Sequence, residues 1–66
     1  MTFAAWLTQQ RKRRMLTQVQ AAERCGVVLK TWQAWEQGVR RPTPRHCGSI
    51  IRGLGIDPCD PIWRHV

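Results

Sequence analysis

The sequence predicts an all-α protein, a compact domain of four or five short helices. Apolar residues recur at helical spacing, and the longest β-branched run, in "GVVL" at 26–29, is too short to form a sheet. Glycine and proline divide the apolar stretches into segments of helical length. A chain of 66 residues buries only about 60% of the surface that it exposes when unfolded, so we expect one small core.

Helix 1 is predicted to run from Thr2, a good N-cap, to about Arg14. Residues at helical spacing that we expect to form one face are Phe3, Trp6, Leu7 and Gln10. Lys12, Arg13 and Arg14 collect in the last turn, where positive charge favours the negative end of the helix dipole. We expect these three cations to lie mainly in solvent.

Helix 2 is predicted at about 18–25, because Thr17 and Gln20 have the spacing of a capping box. It is short, and we expect its buried side chains to be Val19, Ala22 and Cys25. Gly26 follows and supplies the positive φ that a tight turn requires.

Helix 3 is predicted at roughly 28–36 and ends at Gly38. At 100° per residue, Val28, Trp32 and Trp35 fall within about 60° of one another and are expected to face the core. The opposite face is expected to carry Leu29, Lys30, Gln33, Ala34 and Gln37.

Helix 4 is predicted at about 44–54, with Thr43 as N-cap and Pro44 at the first helical position. Its inward residues are expected to be Cys47, Ile50, Ile51 and Leu54. We place the main domain at 1–56 and a short tail, with room for one more helical turn, at 57–66. The end of the chain is more apolar than a free tail should be, through Ile56, Ile62, Trp63 and Val66.

The positive charge is concentrated in the middle of the chain. The net charge is +7, and residues 11–45 contain nine of the 11 Lys and Arg but only two of the four acids. The remaining cations, Arg52 and Arg64, are balanced by Asp57 and Asp60. This distribution favours one surface that faces a polyanion, the alternative being arginines scattered for solubility.

The sequence gives little support to an enzyme or to a metal-binding protein. The three cysteines form no CxxC pair, and the spacing of Cys47 and Cys59 with His46 and His65 fits no usual zinc site. We therefore expect buried, reduced thiols, no metal and no cofactor. No Ser/His/Asp group, paired carboxylates or phosphate-binding loop occurs, which indicates a non-enzyme. Without a signal peptide or an apolar stretch of about 20 residues, a cytoplasmic protein is expected.

One segment resembles the helix-turn-helix of the lambda-repressor-like (Cro/repressor, or XRE) family. The matching residues are Leu16-Thr17-Gln18, Ala22, Gly26, Trp32, Trp35-Glu36-Gln37-Gly38 and Arg40-Arg41-Pro42. The similarity covers roughly 3–56 and implies a lambda-repressor-like fold with the helix-turn-helix at about 17–37. Two positions depart from the family pattern. Trp32 replaces a β-branched aliphatic anchor, and Val28 replaces a small hydroxyl residue that would cap the following helix.

The resemblance implies that the third helix enters the major groove of DNA. By position, the residues that would contact bases are Leu29, Lys30, Gln33 and Ala34. Their chemistry suits that role: Lys30 can donate to guanine, Gln33 can pair with an adenine edge, and the apolar side chains can contact thymine methyl groups.

Other residues would position the DNA backbone. By the same resemblance, Gln18 binds a phosphate with Thr17 close by, at a helix N-terminus that favours anions. Three arginines after the reading helix would lie along the backbone: Arg40, Arg41 and Arg45. Arg11 is expected to form a structural ion pair with Glu36 more than a DNA contact. One of the cations at the end of helix 1 would be within reach of a phosphate.

The resemblance implies a small DNA-binding transcriptional regulator, a repressor of a phage or mobile element that is either Cro-like or autoregulatory. It would bind a pseudo-palindromic operator as a homodimer through Ile56, Ile62, Trp63 and Val66, unless these residues close the core of the single chain. Two other functions stay open: an antitoxin-like adaptor whose apolar tail binds a partner protein, and an RNA-binding protein. RNA binding would favour exposed aromatic residues, which we expect to be buried here.

Overall fold

The computed structural model describes residues 2–65, and in that range the chain is helical, without a β-strand. Its elements are α1 (Phe3–Arg13), α2 (Gln18–Cys25), α3 (Leu29–Gln37), α4 (Pro44–Leu54) and a 3₁₀ helix, η1 (Pro61–His65). The predicted all-α fold of four helices and a further turn is confirmed. None of the described helices is long and apolar enough to cross a membrane.

All four α-helices begin and end within one residue of where the sequence predicts, and α3 lies one residue later than expected. At the starts of α1, α2 and α4 a capping side chain supplies the missing backbone partner. Thr2, Thr17 and Thr43 are N-caps whose hydroxyl oxygens accept backbone N–H groups three residues on. Thr17 and Gln20 form the complete, reciprocal capping box. Gly26 ends α2 at φ 68°, in the left-handed region that side chains other than glycine rarely adopt.

Trp32 is the centre of the core and is fully buried together with Leu7 and Ile50. Its ring meets that of Trp35 edge-on, with the ring centroids 5.8 Å apart. α3 is thereby held by two large aromatic side chains on its inner face, so its outer face is free to carry polar residues. The other members of the hydrophobic core are Phe3, Trp6, Ala21, Ala22, Cys25, Leu54, Ile56 and Ile62.

Four predicted placements are wrong. Cys59, expected to be a buried thiol, is exposed, because it lies in the turn between α4 and η1. Val28 is 67% exposed, because it is the N-cap that precedes α3 and so does not share the helical stripe of Trp32. Val19 is 47% exposed, since α2 packs on its small residues, Ala21 and Ala22. Arg14 is not mainly solvated: its Nε donates to the Leu54 carbonyl oxygen at 2.7 Å and ties α1 to the end of α4.

Gly53, on α4, allows α2 and α4 to approach each other very closely. A Cβ atom on Gly53 would lie 2.7 Å from the carbonyl oxygen of Arg24 and 2.9 Å from Sγ of Cys25. Only glycine fits at such a distance. α2, which begins the helix-turn-helix, is therefore packed directly on the backbone of α4.

The C-terminal turn packs against the start of α1. Trp63 lies 5.4 Å from Trp6 and 6.0 Å from Phe3 between ring centroids, and its Nε1 donates to the Asp57 carbonyl oxygen. Ile56 and Ile62 are buried in the core of the single chain, the alternative to a dimer role that the sequence left open. Val66 lies outside the described residues.

Candidate nucleic-acid interface

α2, a short turn and α3 form the helix-turn-helix. The backbone N–H of Val27 donates to the Ala22 carbonyl oxygen at 3.0 Å, which fixes the chain as it leaves α2. Val28 then caps α3 with its backbone in an extended conformation and without a side-chain hydrogen bond. The sequence predicts that a valine at this position leaves α3 without a side-chain cap, and the structure confirms this prediction.

Glu36, at the end of α3, is the acceptor for a cluster of donors from three helices. Nε of Arg11 donates to Oε2 at 2.7 Å, Gln18 Nε2 donates to Oε1 at 3.2 Å, and the Thr8 hydroxyl donates to Oε1 at 3.1 Å. The indole N–H of Trp32 donates to the same carboxylate. Burial alone would raise the pKa of Glu36, but these hydrogen bonds outweigh it and hold the pKa below its ordinary value.

Arg11 is committed to the protein itself. Besides its ion pair with Glu36, its Nη1 donates to the carbonyl oxygen of Leu16 at 2.9 Å, just before α2. The side chain is mostly buried, at 13% exposed. Arg11 therefore joins α1, the start of α2 and the end of α3, and this geometry fixes the angle at which α3 stands on the domain.

The outer face of α3, together with the residues just before and just after the helix, forms an open groove of about 620 Å³. Of the predicted base-contacting residues, Lys30 is exposed and Gln33 and Ala34 are half-buried within the groove. Leu29 is 37% exposed but does not line it. The groove is lined by Val28, Lys30, Thr31, Gln33, Ala34, Gln37, Val39 and Arg40.

Val28 and Val39 are groove residues that the sequence reasoning missed. Both are exposed valines, one before α3 and one after it, and they place branched methyl groups at the two ends of the groove. The sequence does contain a signal for Val39, since it is an apolar residue beside two arginines in the loop between Gly38 and Pro42. Val28 was missed because it was assigned to the core.

Gln33 is joined to the start of α2. Its Nε2 donates to Oε1 of Gln18 at 3.3 Å, and Gln18 in turn donates to Glu36. The predicted phosphate residue and a predicted base-contacting residue are therefore neighbours. One N–H and the carbonyl oxygen of the Gln33 amide remain for a further partner.

The other predicted phosphate-binding residues are all exposed. Thr17 is exposed, and its hydroxyl oxygen already accepts the N–H of Gln20, which leaves its own proton to donate. Arg40 and Arg41 are exposed in the loop after α3, and Arg45 is exposed in the first turn of α4. Cations thus lie beyond the C-terminal end of α3, and the amide of Gln18 lies beside Gln33 and Glu36 on the helix itself.

The three cysteines are free thiols. Among residues 2–65 no group of three or more His, Cys, Asp or Glu lies in an arrangement that could hold an ion. Burial raises the pKa of the Cys25 thiol to about 11 and also raises that of Cys47. Cys25 therefore packs as a neutral apolar side chain between α2 and α4.

A short second helix, a glycine turn and a third helix with an exposed polar face define a helix-turn-helix protein. The sequence matches the profile of a helix-turn-helix domain family over residues 2–60, and the chain belongs to this family. Comparisons with curated proteins and with solved structures found no match.

Proposed function

We propose that the protein is a sequence-specific DNA-binding transcriptional regulator of the lambda-repressor-like (XRE) type, with α3 as the recognition helix. The observation that carries the proposal is the groove along α3. It combines a free ammonium group, an amide and apolar methyl groups, and none of the described residues that line it carries a carboxylate. These are the side-chain chemistries that recognise base edges in a major groove, which at about 12 Å wide admits one helix.

The charge around the groove supports a polyanion as the partner. Lys30 and Arg40 line it, and Arg41 and Arg45 lie exposed beyond the end of α3. The carboxylate nearest the reading face, Glu36, is turned inward and neutralised by Arg11. The face offered to DNA is therefore positive, and phosphate contacts would set the register in which α3 reads the bases.

Repression by a homodimer on a pseudo-palindromic operator is the form of regulation that we propose. One helix of nine residues contacts only a few base pairs, so a second copy is needed for a longer site. Since Ile56 and Ile62 lie within the core of the chain, Trp63, which is half-buried, is the described member of the predicted interface with surface to offer. The regulator would act in the cytoplasm by binding alone, without catalysis or cofactor.

The experiment is fluorescence anisotropy with labelled DNA from upstream of the protein's own gene, beside a scrambled duplex, across a salt series. Specific binding should be about 10³-fold or more tighter than binding to the scrambled duplex. Equal affinity for both duplexes would reject an autoregulatory operator. Equal affinity across a library of random duplexes would reject sequence reading altogether.

Substitutions of lysine test whether α3 reads bases. Lys30→Ala should cost about 1–3 kcal/mol on the preferred DNA and much less on the scrambled duplex. Lys12→Ala is the matched control, because Lys12 is also an exposed lysine but lies at the end of α1. A loss from Lys30→Ala that is equal on both duplexes would assign Lys30 to a phosphate and not to a base.

A further inference from the structure

We propose that a second, cationic cleft beside the start of α1 binds backbone phosphates of the DNA that flanks the bases read by α3. This inference rests on the proposed function and extends its footprint to the C-terminal turn. The cleft has a volume of about 670 Å³ and opens between the first turn of α1, the end of α3 and η1. Its walls carry Arg40, Arg41, Arg64 and His65.

Charge is the first argument for an anionic ligand. Three guanidinium groups line the cleft, and none of the described residues that line it is acidic. Within residues 2–65, the side chains of Arg40, Arg41 and Arg64 make no ion pair. Thr2, Phe3 and Ala4 add the positive end of the α1 dipole at the same opening. Guanidinium groups bind phosphate through paired N–H donors, so this lining suits phosphate oxygens.

Position is the second argument, because the cleft continues the reading groove. Gln37 and Arg40 line both cavities, so they form a shared ridge between them. A strand that passes Arg40 while α3 contacts bases would meet the cleft next. The ligand is therefore the same DNA molecule, and the phosphates concerned are those just outside the base pairs that α3 contacts.

The size of the domain allows this footprint. Its Cα atoms extend over 26 × 23 × 21 Å, which corresponds to about six to eight base pairs at 3.4 Å per step. α3 lies within that span and contacts only part of it. Arg64 and His65, on η1, would thus provide contacts at one edge, and the packing of Trp63 on Phe3 and Trp6 fixes η1 in place for this purpose.

The test compares Arg64→Gln with Arg52→Gln in the salt dependence of DNA binding. Both residues are exposed arginines and both changes remove one charge, but Arg52 lies on α4 beside Glu23, away from the cleft. On a duplex that extends about one helical turn beyond the preferred site, Arg64→Gln should flatten the slope of log K against log salt by about 0.9 per protomer. Arg52→Gln should leave the slope close to that of the wild type.

Duplex length gives a second readout. When the duplex is trimmed to end at the outermost base pairs that α3 contacts in the two half-sites, Arg64→Gln and the wild type should show the same slope, because the flanking phosphates are gone. Arg64→Lys, which keeps the charge, should restore most of the slope on the long duplex. Circular dichroism of each variant establishes that it is folded.

Equal slopes for Arg64→Gln and Arg52→Gln on the long duplex would overturn the proposal. So would a slope difference that persists on the trimmed duplex. Failure of the proposed function looks different: the wild type would then bind preferred and scrambled DNA equally. In that case the two variants are compared on long scrambled DNA, where the same slope difference is expected and its absence again rejects the cleft.

Discussion

Gln18, at the start of α2, accepts a hydrogen bond from Gln33, in the middle of α3, over 3.3 Å between Oε1 and Nε2. The direction of this bond follows from Glu36. A carboxylate only accepts, so Gln18 must turn its NH₂ group toward Glu36 and its oxygen toward Gln33. Gln33 then has to donate. The orientation of the Gln33 amide, which we propose to contact a base, is in this way determined within the protein itself.

A double-mutant cycle between Gln18 and Gln33 tests this link. Gln18→Ala should weaken DNA binding both directly and by releasing the Gln33 amide, so Gln33→Ala should cost less in that background. We expect a coupling energy of about 0.5–3 kcal/mol on the preferred duplex, measured by fluorescence anisotropy of the four proteins.

The control cycle pairs Gln18 with Gln37, which lines the same groove and is exposed. No hydrogen bond joins these two side chains in the described structure, so their effects should add. Additive effects for Gln18 and Gln33 as well would mean that the two amides act independently on DNA.

Glu36→Gln should destabilise the fold strongly. The Glu36 side chain is 6% exposed and neutralises Arg11, which is also largely buried, so the substitution leaves a buried guanidinium without its counter-charge. We expect a loss of about 3–5 kcal/mol in the free energy of unfolding, from urea denaturation followed by tryptophan fluorescence. Glu23→Gln, at an exposed position on α2, is the control and should change it by less than about 0.5 kcal/mol.

The same carboxylate predicts a dependence of stability on pH. The pKa of Glu36 is lower in the folded protein than its unfolded value, which is about 4.3. Its contribution to stability is therefore complete well above pH 4.3 and is lost as the pH falls through the folded pKa. The difference in unfolding free energy between wild type and Glu36→Gln should be constant near neutral pH and shrink in acid. A difference that does not change between pH 7 and pH 3 would contradict this role.

Much of the fold could be predicted because its signals are local. Thr17, Gln20 and Gly26 determine the ends of α2 through their own hydrogen bonds and backbone angles, whatever else the chain does. The phase of α3 was harder. Val28 is the N-cap of α3 and not its first helical residue. This difference of one position is the reason why the helical pattern wrongly places Val28 in the core. Helical periodicity also cannot tell which of two apolar stripes will face a neighbour, as Val19 shows.

The candidate site was predictable only in part, because its geometry depends on contacts between distant residues. The resemblance to a family indicated Arg11 with Glu36, and the two side chains do meet. Nothing in the local pattern indicates that Arg14 reaches the Leu54 carbonyl oxygen 40 residues away, or that Gln18 and Gln33 share a hydrogen bond. The cleft that Arg64 lines likewise arises from the packing of η1 on α1.

Gly53→Ala and Gly48→Ala should have opposite effects on stability, although both glycines lie inside α4. At Gly53 a methyl group would meet backbone atoms of Arg24, which cannot move without separating α2 from α4. We expect a loss of about 1–3 kcal/mol from overpacking. At Gly48 the nearest atom, 3.3 Å away, is Nη1 of Arg52, the end of a flexible side chain. There the better helix propensity of alanine should stabilise the protein by up to about 1 kcal/mol.

Thermal unfolding of both glycine variants shows whether Gly53→Ala lowers the melting temperature and Gly48→Ala raises it. Since α2 carries Gln18, Gly53→Ala should also weaken DNA binding, whereas Gly48→Ala should leave it unchanged. If both substitutions raise the melting temperature, helix propensity outweighs the close contact at Gly53. The backbones of α2 and α4 would then be able to move apart enough to accept a methyl group.

The reactivity of the three thiols should follow their burial. Cys59 is exposed, whereas Cys25 is buried between α2 and α4. With a pKa of about 11, Cys25 has only about one thiol in a thousand ionised at pH 8, and the thiolate is the reactive form. Alkylation with iodoacetamide, followed by mass spectrometry of the peptides, should label Cys59 first, Cys47 more slowly and Cys25 last.

Denaturant provides the control for this order. In urea above the unfolding midpoint the three thiols should react at similar rates, because burial no longer distinguishes them.

The raised pKa of Cys25 also affects stability. The protonated thiol favours the folded state below the unfolded thiol pKa of about 8.5, and this contribution is lost as the pH rises toward 11.

One result would contradict the burial of Cys25. If Cys25 reacted as fast as Cys59 in the native protein, α2 would be separating from α4 often enough to expose it. A helix-turn-helix that opens in this way could not hold Gln18 in place for Gln33.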